Sequence, residues 1–394
     1  MSGRLLWLDL ARGFAVVSMV IAHTSPWGGV LSATEYLTAP WFALLVGISL
    51  LLAWEKAGAG AGVGSRSGVA GRFILANVAR GLLLIILGEW LQGVYWQIDV
   101  VLQTLGLLTI VLAPLVVLVG SRPLVWAGVA LVVAVVSPVL MDATRRWLAA
   151  GMASGGGVPG WLPWLADVAV TGANYRVTSF LAIAAAGIAA TPALVGDGGM
   201  GRAGSGMGRG GSGMGRAGSG TDRSGSGSVR VDSGADPPAG PATGGVRGLL
   251  TAGSLLTAAA GAYLVGRLGP WGADAYSGTT PEILGAILLS LSATWVCAWL
   301  AATLGPRRVR AWLGAVVDTG RMALTAYTVQ VLALAVIVRV WLGGGRDDHW
   351  AVMLSVIALC LTVSWAWLKV APIGPLEWVL RLPGRMLARA PVRA

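Results

Sequence analysis

Hydrophobic positions along the chain run in long blocks instead of alternating with polar ones. Ten blocks occur, at 5–23, 38–55, 73–94, 99–120, 123–141, 175–193, 248–268, 282–304, 319–342 and 350–370. A bilayer core about 30 Å thick needs about 20 apolar residues in a helix rising 1.5 Å per residue. A helix also satisfies its own backbone N–H and C=O groups, which lipid cannot do. The pattern therefore predicts an all-α fold, a polytopic integral membrane bundle of about ten transmembrane helices.

One stretch breaks the pattern. In residues 196–247, the run Gly199-Met200-Gly201-Arg202-Ala203-Gly204-Ser205 recurs nearly unchanged at Gly206 and Gly213. With almost no bulky apolar side chains, such a segment cannot offset its ordering entropy. The period has no apolar seam, which excludes a coiled coil. The expected organisation is a six-helix N-terminal membrane part (1–195), a disordered Gly/Ser/Arg-rich cytoplasmic linker (196–247), and a four-helix part (248–394) with a basic cytoplasmic tail.

Composition supports this reading. Only 11% of residues are charged, against about a quarter in soluble domains. The net charge of +11 would suit a nucleic-acid binder, but its placement argues for topology instead. With the N-terminus inside, the cytoplasmic face receives Arg4, Lys56, Arg66, Arg72, Arg80, Arg122, Arg307, Arg308, Arg310, Arg381, Arg385, Arg389 and Arg393. The outer face keeps Arg145, Arg146, Arg176, Arg267, Arg339 and Arg346. Lys and Arg favour the cytoplasmic side, so both termini are expected there and no nucleic acid is expected as a partner. Trp27, Trp41, Trp96, Trp161, Trp164, Trp271, Trp341 and Trp350 fall near outer helix ends, as an aromatic belt would. Asp9 and Arg12 interrupt the first apolar block, so it reads as a retained helix, not a cleaved signal. Cys297 and Cys360 lie in apolar blocks and read as small hydrophobes. Two histidines, His23 and His349, are too few for a His-rich metal site, and no metal is expected.

The first block carries the most chemistry. At 100° per residue, Arg12 lies about 60° and His23 about 40° from Asp9, so all three share one stripe. His23 sits about 21 Å further along the axis. Ionisable groups inside a span face protein or water. Two readings stand: an interfacial Asp9–Arg12 pair with His23 ending the helix, or His23 as general base and Arg12 as anion anchor.

The stretch Leu8-Asp9-Leu10-Ala11-Arg12-Gly13-Phe14-Ala15, then His23, then Pro40-Trp41-Phe42-Ala43-Leu44-Leu45-Val46-Gly47-Ile48-Ser49, resembles the start of the transmembrane acyltransferase superfamily. That group includes heparan-alpha-glucosaminide N-acetyltransferase-like and bacterial YeiB-like membrane proteins. The Asp-to-His spacing also resembles the first helix of bacterial polysaccharide O-acyltransferases. Four further stretches resemble YeiB-like or family segments in order: Asp99 to Gln103, Tyr276 to Glu282, Gly320 to Tyr327, and Gly374 to Trp378. Tyr276 departs from the pattern, since YeiB-like relatives often carry His there.

The resemblance implies an enzyme of the bacterial cytoplasmic membrane. It would move an acyl group, expected to be acetyl, from cytosolic acyl-CoA to an extracytoplasmic glycan or lipid acceptor. His23 and Asp9 would be catalytic, with Asp9 orienting Arg12. Arg12, helped by Arg80 or Arg321, would hold the coenzyme A phosphates. Asp99, Gln103, Asn174, Arg176 and Glu282 are candidates for the acceptor side. Each has a plainer reading: Glu282 complements a helix N-terminus behind Pro281, and Asp318–Arg321 forms an interfacial i,i+3 pair. Glu89, Gln92, Asp99 and Gln103 are too polar for lipid contact and should face the bundle interior or water. Asp347, Asp348 and His349 read as a solvated turn. Membrane lipid is an expected partner in any case, and the alternative class is a transporter or flippase for a lipid or amphipathic solute.

Overall fold

The computed structural model describes residues 5–26, 31, 34–59, 66–95, 97–153, 159–196, 245–270 and 272–389. The linker at 196–247, except for its first residue and its last three, lies outside them, as do Trp27, Trp96 and Trp271 of the expected belt.

The helices are α1 (Leu6–Thr24), α2 (Thr38–Gly58), α3 (Arg66–Val94), α4 (Leu102–Val119), α5 (Pro123–Ala153), α6 (Trp161–Ala166), α7 (Val177–Val195), α8 (Gly245–Leu268), α9 (Thr280–Arg321), α10 (Ala323–Val336), α11 (Trp350–Val370) and α12 (Pro375–Arg389). A π-helical turn, Asp167–Thr171, extends α6, and another, Ile337–Trp341, extends α10. Among the described residues ten helices are long and apolar enough to cross a membrane. The protein is thus an all-α, multi-pass membrane bundle.

Two departures from the expected elements have clear causes. The eighth span, expected to end at 304, is followed by further helix as far as Arg321. At Gly305 (φ 72°), followed by Pro306, α9 breaks, because glycine takes the left-handed region freely and proline cannot continue the ladder. Beyond the break, Arg307, Arg308, Arg310 and Trp312 are exposed, and the chain then turns in against α1. The expected basic tail is largely a helix: α12 packs on α3 and α10. Its Glu377 accepts hydrogen bonds from the Leu324 and Thr325 amides at 2.8 and 3.0 Å and from the Thr325 hydroxyl at 2.6 Å. It thereby satisfies orphan N–H groups at the start of α10 and complements its dipole.

Helices from both sides of the linker pack together; α1 lies against α9, α10 and α11 as well as α2. The α1–α9 contact is backbone on backbone. A Cβ at Gly13 would overlap the Val316 carbonyl, and one at Gly320 the Asp9 carbonyl. Small residues permit this approach, which van der Waals packing rewards in lipid. The contact fixes the height and rotation of α1, and so the directions of Asp9, Arg12 and His23.

The ends of the bundle differ. One, the loop face, carries the segments after α1, α3, α5, α8 and α10. There Trp161, Trp164, Trp341 and Trp350 are exposed, in keeping with a belt, but Trp41 is not part of it. Trp41 is buried and donates from Nε1 to Thr294 Oγ1 at 2.9 Å. Asp347 is also not solvated: it is 6% exposed, and Tyr95 Oη donates to its Oδ2 at 2.7 Å. Cys297 and Cys360 are free thiols in the core.

Candidate functional site

At the end of the bundle where α1 begins, a cavity of about 350 Å³ opens among α1, α2, α3, α4, α9, α10 and α12. Its wall includes Arg12, Arg80, Arg321 and Arg381, with Asn77, Ser49 and Glu377. Arg12 lies 3.5 Å from Asp9 Oδ1, one turn earlier on α1, and donates from Nη2 to Ser49 Oγ at 2.6 Å. Arg80 donates from Nε to the Leu380 carbonyl at 2.9 Å and from Nη1 to Asn77 Oδ1 at 3.4 Å. Arg321 pairs with Asp318 at 3.0 Å and donates to the Pro372 carbonyl at 3.3 Å. Each of these three guanidinium groups is therefore held in a fixed direction. The four arginines face one carboxylate among the described lining residues, and that one, Glu377, is engaged by α10. Such a chamber attracts anions, and planar guanidinium forks suit phosphate oxygens.

Toward the loop face lies a much smaller gap, about 10 Å³, room for roughly one water molecule. His23, Thr38 and Asp99 line it, with three tyrosines, Tyr175, Tyr276 and Tyr327. Phe42, Val101 and Tyr327 line both the gap and the arginine chamber. The two spaces thus lie end to end along α1, separated by these three side chains. Arg12 and His23 mark the two ends, about 16 Å apart in helix rise.

The His23 ring is anchored from α10: Nδ1 and Gln330 Nε2 are 3.0 Å apart. Tyr276 closes the loop side. Its ring stands edge-on to Tyr175 with centroids 5.4 Å apart, and its hydroxyl donates to the Glu35 carbonyl at 2.8 Å. Tyr276 has φ 63°, a left-handed conformation costing a non-glycine residue about 1–2 kcal/mol; such outliers concentrate at functional sites. Burial and the neighbouring carboxylates push the Tyr175 and Tyr276 phenols up from their ordinary value, so both stay neutral. Burial also raises the Glu35 carboxyl.

The residues singled out for the acceptor side divide. Asp99 lines the His23 gap, is exposed, and accepts a hydrogen bond from Asn174 Nδ2. Gln103 lines neither space; it is buried against Gly88 of α3. Arg176, 2% exposed, does not reach either wall. Its guanidinium donates to the Tyr276 and Ser277 carbonyls and contacts Met141 Sδ. Burial lowers its pKa, and the charge of Glu282 opposes that shift. Glu282 is buried beside it, in the first turn of α9, and its backbone N–H donates to Thr279 Oγ1 at 3.4 Å. Arg176 and Glu282 both hold the turn carrying Tyr276, and neither lines the two spaces. Asp9 is in the arginine end, remote from His23, beside Arg12.

Several residues of the site escaped the sequence reading: Gln330, Phe42, Tyr327, Asn77 and Arg381. A lone Gln amid the apolar run of α10 was the available signal, because polar groups inside a span are costly. Arg381 reads from sequence as a topology charge alone.

Residues 246–383 match a family model described as "Protein of unknown function (DUF418)". The match covers roughly a third of the chain and includes Tyr276, Glu282, Arg321, Gln330, Glu377 and Arg381. It is consistent with the resemblance of the C-terminal stretches to YeiB-like membrane proteins. No curated protein and no solved structure matches the chain.

Proposed function

We propose that the protein is a membrane acyltransferase that takes an acyl group, acetyl in the simplest case, from acyl-CoA and passes it to a glycan or lipid acceptor across the membrane. One observation carries the reading: Arg12, Arg80, Arg321 and Arg381 line one chamber that abuts, through Phe42, Val101 and Tyr327, the gap lined by His23. In this reading the arginine end is cytoplasmic, as the Lys and Arg distribution favours. The arginines hold the nucleotide phosphates of acyl-CoA. The pantetheine arm extends along α1, and its length suits the distance from Arg12 to His23.

At the far end His23 removes the proton from an acceptor hydroxyl or amine as that oxygen or nitrogen bonds to the thioester carbonyl carbon. The carbon–sulfur bond breaks, the sulfur leaves as thiolate, and the proton held by His23 passes to it. The products are acylated acceptor and free CoA. Asp9 orients Arg12 and takes no part in the proton transfer. For an acceptor to enter, the gap at His23 must widen, and the turn carrying Tyr276 is the wall nearest the loop face.

Calorimetry with purified full-length protein tests the donor site. Acetyl-CoA should bind, and Arg12→Ala, Arg80→Ala and Arg321→Ala should each weaken it by about tenfold or more, the scale of one charge-assisted hydrogen bond. Undiminished binding in all three variants would remove the chamber from the account.

The end-to-end arrangement of the two spaces also suits a second reading, a transporter or flippase. It predicts solute movement without acyl-CoA and with no change in the mass of the solute.

A further inference from the structure

The Gln330 side chain is fully buried in α10, and its Nε2 lies 3.0 Å from His23 Nδ1. Its Oε1 is buried with no hydrogen-bond partner. A carbonyl left so costs about 1–3 kcal/mol, an unusual expense in a span. Half a turn of the amide exchanges the two atoms, and Oε1 then accepts from Nδ1–H. The amide can therefore hold either neutral tautomer of the ring, but it can hold the imidazolium only with Oε1, because both ring nitrogens are then donors.

We infer that Gln330 is the positioning residue of His23: its Oε1 accepts from Nδ1–H and leaves Nε2 as the nitrogen that takes the acceptor's proton. The inference rests on the acyltransferase reading for its purpose, though not for its observable. When Nε2 gains the proton, Nδ1–H keeps its acceptor, and the positive ring remains hydrogen-bonded in a site where water is scarce. A third group that orients a base is a recurrent device in nucleophilic and acid–base sites. Here an uncharged amide fills that place inside an apolar run, where a carboxylate would be costly to bury.

The ring can be observed directly, because the chain has two histidines. His349 is exposed and caps α11, so His349→Asn, a good capping residue, leaves His23 as the single imidazole. In ¹⁵N-histidine-labelled His349→Asn protein, the neutral ring should show a protonated Nδ1 and an unprotonated Nε2. Gln330→Met, similar in volume, should shift the proton to Nε2 and lower kcat on the order of 10²-fold with little change in acetyl-CoA affinity. Gln330→Glu should keep the proton on Nδ1 and keep the ring oriented; it also carries the test should Gln330→Met fail to fold. A proton on Nε2 in the His349→Asn protein, the parent's tautomer retained in Gln330→Met, or a proton moved to Nε2 in Gln330→Glu overturns the inference. A tautomer that follows Gln330 in a protein with no transferase activity would retain this pairing and sink the acyltransferase reading instead.

Discussion

Phe42 and Tyr327 each line both the arginine chamber and the gap at His23. One comes from α2 and the other from α10, and with Val101 they form the partition between the charged and the aromatic halves of the site. In the acyltransferase reading, a thioester that binds in the first half and reacts in the second passes its arm through this partition.

Enlarging the partition should therefore uncouple the reaction. Phe42→Ala is expected to raise acetyl-CoA hydrolysis in the absence of acceptor several-fold over the parent protein, read as free thiol released by proteoliposomes. Hydrolysis unchanged in a folded Phe42→Ala protein would deny the partition this role.

The Asp9–Arg12 pair should act on binding. Asp9→Asn keeps the size of the side chain but removes the charge 3.5 Å from the guanidinium. Acetyl-CoA affinity should fall by about three- to tenfold, within the range for a hydrogen bond to a charged group. Arg12→Lys should do the same or worse, since an ammonium lacks the planar fork. Turnover at saturating donor should change little in either variant.

The close packing of α1 on α9 predicts a stability contrast. Gly320→Ala sets a Cβ against the Asp9 carbonyl and should cost about 1–3 kcal/mol, the range for overpacking. It should also weaken acetyl-CoA binding, because α1 carries Arg12. Gly253→Ala on α8, whose added Cβ meets nothing within 4 Å, should be neutral or gain about 0.5–1 kcal/mol from helix propensity. Thermal unfolding in detergent compares the two.

A pH dependence follows from the loop face. Burial raises the Asp347 carboxyl above its ordinary value, against the hydrogen bond from Tyr95. Folding thus favours the protonated acid: its contribution is most favourable below about pH 4 and declines as pH rises through the raised value. Asp347→Asn, whose Oδ1 can still accept from Tyr95, should match the parent at low pH and exceed its stability at pH 7. Tyr95→Phe should lose about 1–3 kcal/mol at neutral pH by leaving a buried carboxylate oxygen without its donor.

These contrasts indicate what a single chain reveals in advance. Spans are legible because the bilayer imposes a length on apolar runs; most helix ends fall close to where hydropathy sets them, while α3 begins earlier, at Arg66, and α5 and α9 run on to Ala153 and Arg321. Arg12, Arg80 and Arg321 could be singled out because charges inside spans demand a reason, but nothing in their spacing showed that α1, α3 and α9 would bring them to one chamber. Asp347 was misread because a run of three polar residues looks solvated; its partner Tyr95 is 252 positions away. Gln330 is not legible as a site residue for the same cause, its partner His23 lying 307 positions earlier. Arg176 looked like an anion site at a helix start, yet the turn of Tyr276 folds back onto it. The amphipathic helix α12 was hidden by its arginines, which topology alone seemed to explain.

The central claim is group transfer, and an isotope label tests it most directly. Trideuteroacetyl-CoA would be supplied to the arginine face of membranes containing the full chain, with free CoA measured and lipid and glycan extracts analysed by mass spectrometry. The account predicts a trideuteroacetyl mass shift on a lipid or glycan, one CoA released for each group transferred, and loss of both in His23→Ala protein that still binds acetyl-CoA. Transfer that persists undiminished in His23→Ala, or membranes that move solute while no label leaves the coenzyme, would contradict it.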